Sequence, residues 1–228
     1  MMRENPLRAF KPIREKNPRR AVASTDRYEA VRAVADQVTM EVRRDGRRSI
    51  HRSYLPEILD LAAGTGRRIS AICSLLVEDL RLQPTPAAPH GAIRWPAATD
   101  KMGRESTVPV SPEVRSALLR VLEGRGLQGG YLFPCPTSAE RPVTRWLARK
   151  WLRRAEALAK LEPQEGSAFH AYRRGWATAR KHLPLPDVAA AGGWKGTEAL
   201  QRCYLHADEQ TMLTVVLSGA QLRDAKKA

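Results

Sequence analysis

From Tyr28 the apolar residues Val31, Val34, Val38 and Val42 recur at the spacing that lines one side of an α-helix. Ser24 and Asp26, good capping types, predict that ordered structure begins just before them. Gly46 breaks this helix within a basic cluster of Arg43, Arg44, Arg47, Arg48, His51 and Arg52. A second helix is predicted from about Tyr54 through Ile58 and Leu59, stopped by Gly64 and Gly66. A third starts near Arg68 and sets Ile69, Ile72, Leu76 and Leu80 on one side. Residues 84–91 hold three prolines and a glycine and read as a loop.

The pattern then turns to strands. Ala92–Ala97 and Ser106–Val110 predict a β-hairpin, with Asp100-Lys101-Met102-Gly103-Arg104 at or near its turn and Pro109 marking an edge strand. Ser111-Pro112 opens the next helix, which runs through Leu118 and Leu122 to Gly124. Arg141–Leu161 reads as a long helix with Leu147, Trp151 and Leu158 inward and Arg145, Arg149, Lys150, Arg153 and Arg154 along it. Helical stretches follow over 170–182, 185–191, 197–204 and 208–224. The predicted fold class is mainly α with a small antiparallel β-sheet (α+β). One compact domain, 24–228, follows a basic arm, 1–23, in which Pro6, Pro12 and Pro18 interrupt any helix. The arm is either a solvated tail or a contact to phosphates.

Charge sharpens this picture. The 228 residues hold 39 Lys+Arg against 24 Asp+Glu, a net charge of +15, which favours a polyanionic partner, nucleic acid first. No apolar run approaches the roughly 20 residues of a bilayer crossing, and no signal peptide opens the chain, so a membrane role is excluded and a cytoplasmic location expected, nucleoid-associated when bound to DNA. Cys73, Cys135 and Cys203 lie far apart with no CxxC pair, which fits neither a disulfide framework nor a zinc ribbon.

The sequence has no HExxH, no P-loop signature, no GxSxG and no obvious acidic trio for paired magnesium ions. No metal and no cofactor is expected. Cutting a nucleic-acid backbone without a metal needs a nucleophile to hold the strand end. It also needs cations on the non-bridging oxygens and a proton donor for the leaving alkoxide. Arginine suits the oxygens through its planar fork, lysine or histidine the proton, and tyrosine the nucleophile.

Four segments carry a resemblance. Thr65-Gly66-Arg67-Arg68-Ile69-Ser70-Ala71-Ile72 is similar to the first box of the tyrosine recombinases, the phage-integrase family. His170-Ala171-Tyr172-Arg173-Arg174 resembles its His-x-x-Arg box. Gly192-Gly193-Trp194, followed ten positions after the tryptophan by Tyr204, resembles the closing segment. The hairpin around Lys101, with the Val108-Pro109 that follows, is similar to the one bearing the family's lysine. The boxes stand in the family's order, and the resemblance covers roughly 24–225.

What it implies is a tyrosine recombinase/integrase catalytic-domain fold and a site-specific recombinase that breaks and rejoins DNA strands through a four-way junction. Tyr204 attacks a phosphodiester and forms a 3′-phosphotyrosyl bond. Arg68 and Arg173 clamp the scissile phosphate, Lys101 protonates the leaving 5′ oxygen, His170 assists proton transfer at the nucleophile, and Trp194 positions. Ala71 and Tyr172 depart from the family pattern. Two other functions are weighed: a type IB topoisomerase-like nicking and resealing enzyme, and a non-catalytic DNA-binding regulator. The expected partner is double-stranded DNA, contacted by Arg43, Arg44, Arg47, Arg48, Arg145, Arg149 and Arg174. Accessory DNA-bending proteins belong to the same expectation, as does a homo-tetramer on DNA from a free monomer.

The stretch 1–23 reads as the end of a missing N-terminal core-binding domain. The segment of about 207–226 reads as a protomer-exchange helix, against the alternative of a helix packed on its own domain. Trp95, Trp146, Trp151 and Trp176 read as core or groove packing.

Overall fold

The computed structural model describes residues 20–44, 46–99, 103–125, 129–164, 168–204, 212, 213 and 215–217. Helix α1, Thr25–Ala35, opens where expected, with the Ser24 hydroxyl accepting the Arg27 N–H at 3.2 Å. It buries Val31 and Ala35 and then stops. Val38 and Val42, expected on the same helix, belong instead to an extended segment. Strand β1, Thr39–Arg44, pairs antiparallel with β2, Arg47–Arg52, setting Arg43 opposite Arg48 and Met40 opposite His51. Gly46 sits in this turn at φ +72°, and the Ser53 N–H donates to the Val38 carbonyl at 2.8 Å, which closes the open end of the ribbon.

The centre of the molecule is α2, Leu55–Thr65, buried from Leu55 through Ala62, Glu57 and Asp60 included. Carboxylates in such a place need partners. Asp60 accepts the Tyr28 hydroxyl at 2.8 Å, Arg32 Nε at 2.8 Å and Arg120 Nη2 at 2.7 Å, while Glu57 accepts Arg52 Nη2 at 2.9 Å. Burial, and then the Asp60 charge, push the Tyr28 hydroxyl well above the ordinary phenol range, so it serves as a fixed donor. Three arginines from three elements are thereby pinned to one buried helix.

Helix α3, Ile69–Cys73, is shorter than the periodicity predicts. Buried Asp79 accepts the Leu76 N–H at 3.1 Å and Arg94 Nε at 3.1 Å, and this local turn diverts the chain. Leu76 then bridges to Tyr131, and Leu80 enters β3, Leu80–Arg81. Strands β4, Ala92–Trp95, and β5, Ser106–Pro109, complete a three-stranded sheet in the order β3-β4-β5, and Pro109 lies on its edge as predicted. Helix α4, Pro112–Arg125, follows. An unforeseen ribbon, β6, Pro134–Cys135, with β7, Ser138–Pro142, takes up residues 141 and 142, so α5 begins at Arg145 and ends at Leu158. Helices α6, Ala168–Ala179, α7, Leu185–Gly192, and α8, Thr197–Tyr204, come last.

Two apolar clusters result. The larger joins α1 through α6 with the three-stranded sheet; the smaller is Trp176, Ala177, Val188, Ala189, Trp194 and Leu200 from α6, α7 and α8. Among the described residues the architecture is helical with small antiparallel sheets, as the sequence predicts. No described helix is long and apolar enough to cross a membrane. Of the predicted 207–226 helix, residues 212, 213 and 215–217 are helical and exposed; its other residues and residues 1–19 of the arm lie outside the described residues.

Candidate active site

The seam between the two clusters is built by glycines. The Thr65 hydroxyl donates to the Leu61 carbonyl at 2.7 Å and accepts the Arg67 N–H at 3.3 Å, and Gly66 ends α2 at φ +64°. A Cβ on Gly66 would stand 2.4 Å from the Trp176 ring. This reversal delivers two arginines with different duties. Arg67 is buried: its Nε donates to the Ala191 carbonyl at 2.9 Å, its Nη2 to Ala190 at 3.2 Å and to Ser106 Oγ at 3.0 Å. Arg68, half-buried at the start of α3, donates from Nη1 to the Gly193 carbonyl at 3.3 Å.

Helix α6 approaches from the other side. His170 and Arg173 lie three residues apart, so they share a helix side. Arg173 is 1% exposed, and its Nη1 donates to the Gly66 carbonyl and, at 2.5 Å, to that of Gly192. Its guanidinium lies 3.5 Å from the centre of the Trp194 ring, and that ring stacks on Trp176 at 6.0 Å and 20°. Trp176 in turn donates its indole N–H to the Gly64 carbonyl at 2.9 Å. Gly192 admits no side chain, because a Cβ would come within 1.9 Å of Trp194, and Gly193 at φ +72° faces the Arg67 guanidinium. Arg68 thus meets Arg173 and Trp194, more than a hundred positions further along the chain, around two glycine turns.

His170, one turn before Arg173, is itself exposed. Desolvation of its ring by the surrounding protein, and then the positive charges of Arg173, Arg174, Arg68 and Arg20, hold it below the ordinary imidazole range. Both effects favour the neutral imidazole.

Lys101 lies outside the described residues; β5, which follows it in the chain, is tied to the cluster by the Arg67–Ser106 hydrogen bond. Tyr204 is the last residue of α8, and Leu200 one turn earlier is buried in the cluster of Trp176 and Trp194; the tyrosine side chain lies outside the description. Of the arginines expected on DNA, Arg47, Arg145 and Arg149 are exposed. Arg43 and Arg48 are exposed too, but each pairs with Glu41 at 2.5 Å. The Arg44 side chain is outside the description. Arg174, also expected on DNA, is buried, with Nε donating to the Ala21 carbonyl at 2.6 Å.

Two contributors escape sequence reasoning. Arg67 stands beside Arg68 with no pattern to divide their roles, and Trp176 reads as plain core although Trp194 rests on it. Gly66→Ala is expected to destabilise the fold by roughly 2–5 kcal/mol, combining a left-handed backbone penalty with overpacking against Trp176. Urea unfolding checks it; a change below about 1 kcal/mol would mean that the Trp176 ring yields freely.

A model described as the phage integrase family matches residues 39–211. Among solved structures, the XerA recombinase is similar with a TM-score of 0.64 and 18% identity, over 87% of this chain and 65% of that one. The XerH site-specific recombinase bound to a palindromic difH substrate in a post-cleavage complex gives 0.63 and 19%, over 86% and 51%. A lambda integrase dimer bound to a COC′ core site gives 0.60 and 16%, over 85% and 50%. This chain thus spans 50% to 65% of the length of these structures. Comparison with curated proteins finds no match.

Proposed function

The chain belongs to the phage integrase family, and from that premise we propose that it is a site-specific recombinase that cuts and rejoins DNA through a phosphotyrosyl intermediate at Tyr204. The phenolic oxygen of Tyr204 bonds to the scissile phosphorus as the bond from phosphorus to the 5′ oxygen breaks. His170 takes the phenolic proton and Lys101 protonates the departing 5′ oxygen. Arg68 and Arg173 balance the charge on the non-bridging oxygens, and Trp194 holds Arg173 in place. The reverse sequence reseals the strand, so neither metal nor nucleotide is consumed. Strand exchange proceeds through a four-way junction, in a tetramer assembled on double-stranded DNA.

The observation that carries this reading is the meeting of Arg68, Arg173 and Trp194 at the Gly66 and Gly192-Gly193 turns, with α8 packed on the same cluster. The test is a nicked suicide duplex incubated with the protein. A covalent adduct should form equally with and without chelator, and digestion should map the nucleotide to the peptide bearing Tyr204. Absence of any adduct, or one mapped to another residue, rejects the mechanism.

Proton transfer sets a pH signature. Neutral His170 is the competent form, and its depressed pKa moves the acid limb of the cleavage profile below the ordinary value of about 6.5. Cleavage should therefore persist at pH 6.5 and fall only under stronger acid, while His170→Gln should lower the plateau and remove that limb. An identical acid limb in the variant would assign the titration to another group.

A further inference from the structure

The five tryptophans of the chain divide sharply. Trp95, Trp151, Trp176 and Trp194 are 2%, 4%, 7% and 7% exposed, whereas Trp146 is 61% exposed. Trp146 occupies the first turn of α5, whose start is fixed by the Thr144 hydroxyl accepting the Leu147 N–H at 3.2 Å. Its described ring contact is the Arg145 guanidinium, 4.8 Å from the ring centre. A large indole held in water by a neighbouring cation serves no core.

The surrounding charge is equally selective. Several other arginines are spent within the protein: Arg27 on Glu156, Arg32 on Asp36 and Asp60, Arg52 on Asp36 and Glu57, Arg120 on Glu57 and Asp60. On α5, Ala148, Trp151, Leu152 and Ala155 face the core, while Arg145, Arg149, Lys150 and Arg154 are exposed and form no ion pair among the described residues. A helix whose outer side is cationic fits the major groove of B-DNA, about 12 Å wide, with phosphates on both walls. Within that groove the first turn of a helix reaches the base edges. There a guanidinium pairs with guanine O6 and N7, and an apolar surface meets the thymine methyl.

We propose that Trp146 is a sequence-reading residue, its indole packing on a thymine C5-methyl in the major groove beside a guanine held by Arg145. This rests on the recombinase reading only in that duplex DNA is the ligand.

The test is equilibrium selection from a pool of randomised duplexes by the full chain, followed by sequencing. Trp146→Ala should erase the preference at one thymine while leaving the other selected positions and the slope of affinity against salt unchanged. Replacing that thymine by uracil removes only the methyl. It should weaken the wild type about fourfold, the worth of one buried methylene-sized group, and leave Trp146→Ala unaffected. Arg145→Ala should relax the selection at the adjacent guanine.

A selected motif that survives Trp146→Ala, or a wild type indifferent to uracil, overturns the proposal even when the suicide-duplex adduct forms normally. An intact motif together with loss of self-association in Trp146→Ala would overturn it too, by giving the indole to a protein contact. A wild type that retains no duplex overturns both this inference and the recombinase reading.

Discussion

Tyr204→Phe is expected to abolish covalent adduct formation completely while leaving duplex binding within about twofold of the wild type. The substitution removes one oxygen and no charge. The cationic outer side of α5, expected to supply counterion release, is untouched. Phenylalanine has no atom that can bond to phosphorus, and water in its place would leave a free phosphate rather than a protein-linked strand. Denaturing gels with a suicide duplex read the adduct, and a filter or mobility assay reads the binding. Persisting adduct in the variant would mean that another side chain attacks; lost binding would mean that Tyr204 holds the fold.

Arg173 should have the second-largest effect, and on two quantities at once. Its Nη1 serves the carbonyls of Gly66 and Gly192 inside the protein, and its plane carries the Trp194 ring. Truncation in Arg173→Ala removes both charge-assisted bonds, each worth roughly 1.5–3 kcal/mol, and leaves two buried acceptors unserved. The expected loss of roughly 3–6 kcal/mol is comparable with the whole stability of many domains, so this variant is expected to be poorly folded. Arg173→Lys separates the two roles. It keeps the charge but not the fork, and should remain folded while cleavage drops by about 10²–10³-fold, as when a preorganised donor to a developing oxyanion is lost. Denaturant unfolding and single-turnover cleavage give the two numbers. A lysine variant that cleaves at the wild-type rate would show that charge alone suffices there.

What could be read from the chain beforehand follows from how each signal is generated. Helices α2 and α4 through α8 announce themselves by their apolar positions and by glycine or proline punctuation. The β1–β2 ribbon does not. Val34, Val38 and Val42 continue a helical spacing, and β2 is exposed at all six residues, so no alternation marks it. Its one local signal was Asp45-Gly46, the dipeptide typical of tight hairpin turns.

The early end of α3 was equally hidden, because Asp79 is a buried polar stop rather than a proline or glycine. For the site, the resemblance of the four boxes grouped Arg68, Arg173 and Trp194, and these three side chains lie together at the glycine turns. Nothing in spacing could say that Arg67 would be the buried brace between α7 and β5. Nor could it say that Arg174 would turn inward while its neighbour Arg173 joined the cluster. Those outcomes depend on where carbonyls of distant segments come to rest.

The stretch just ahead of α1 is clipped twice to α6 and once to the residues before that helix. The Ala21 carbonyl accepts Arg174 Nε, the Val22 carbonyl accepts Gln164 Nε2 at 3.2 Å just before that helix, and the Ala23 N–H donates to Ala171 at 3.0 Å. Gly175 lies so near that a Cβ would touch the Ala23 oxygen at 2.5 Å. Tension or torque applied upstream of Ala21 is thus handed to the helix bearing His170 and Arg173 before it reaches α1.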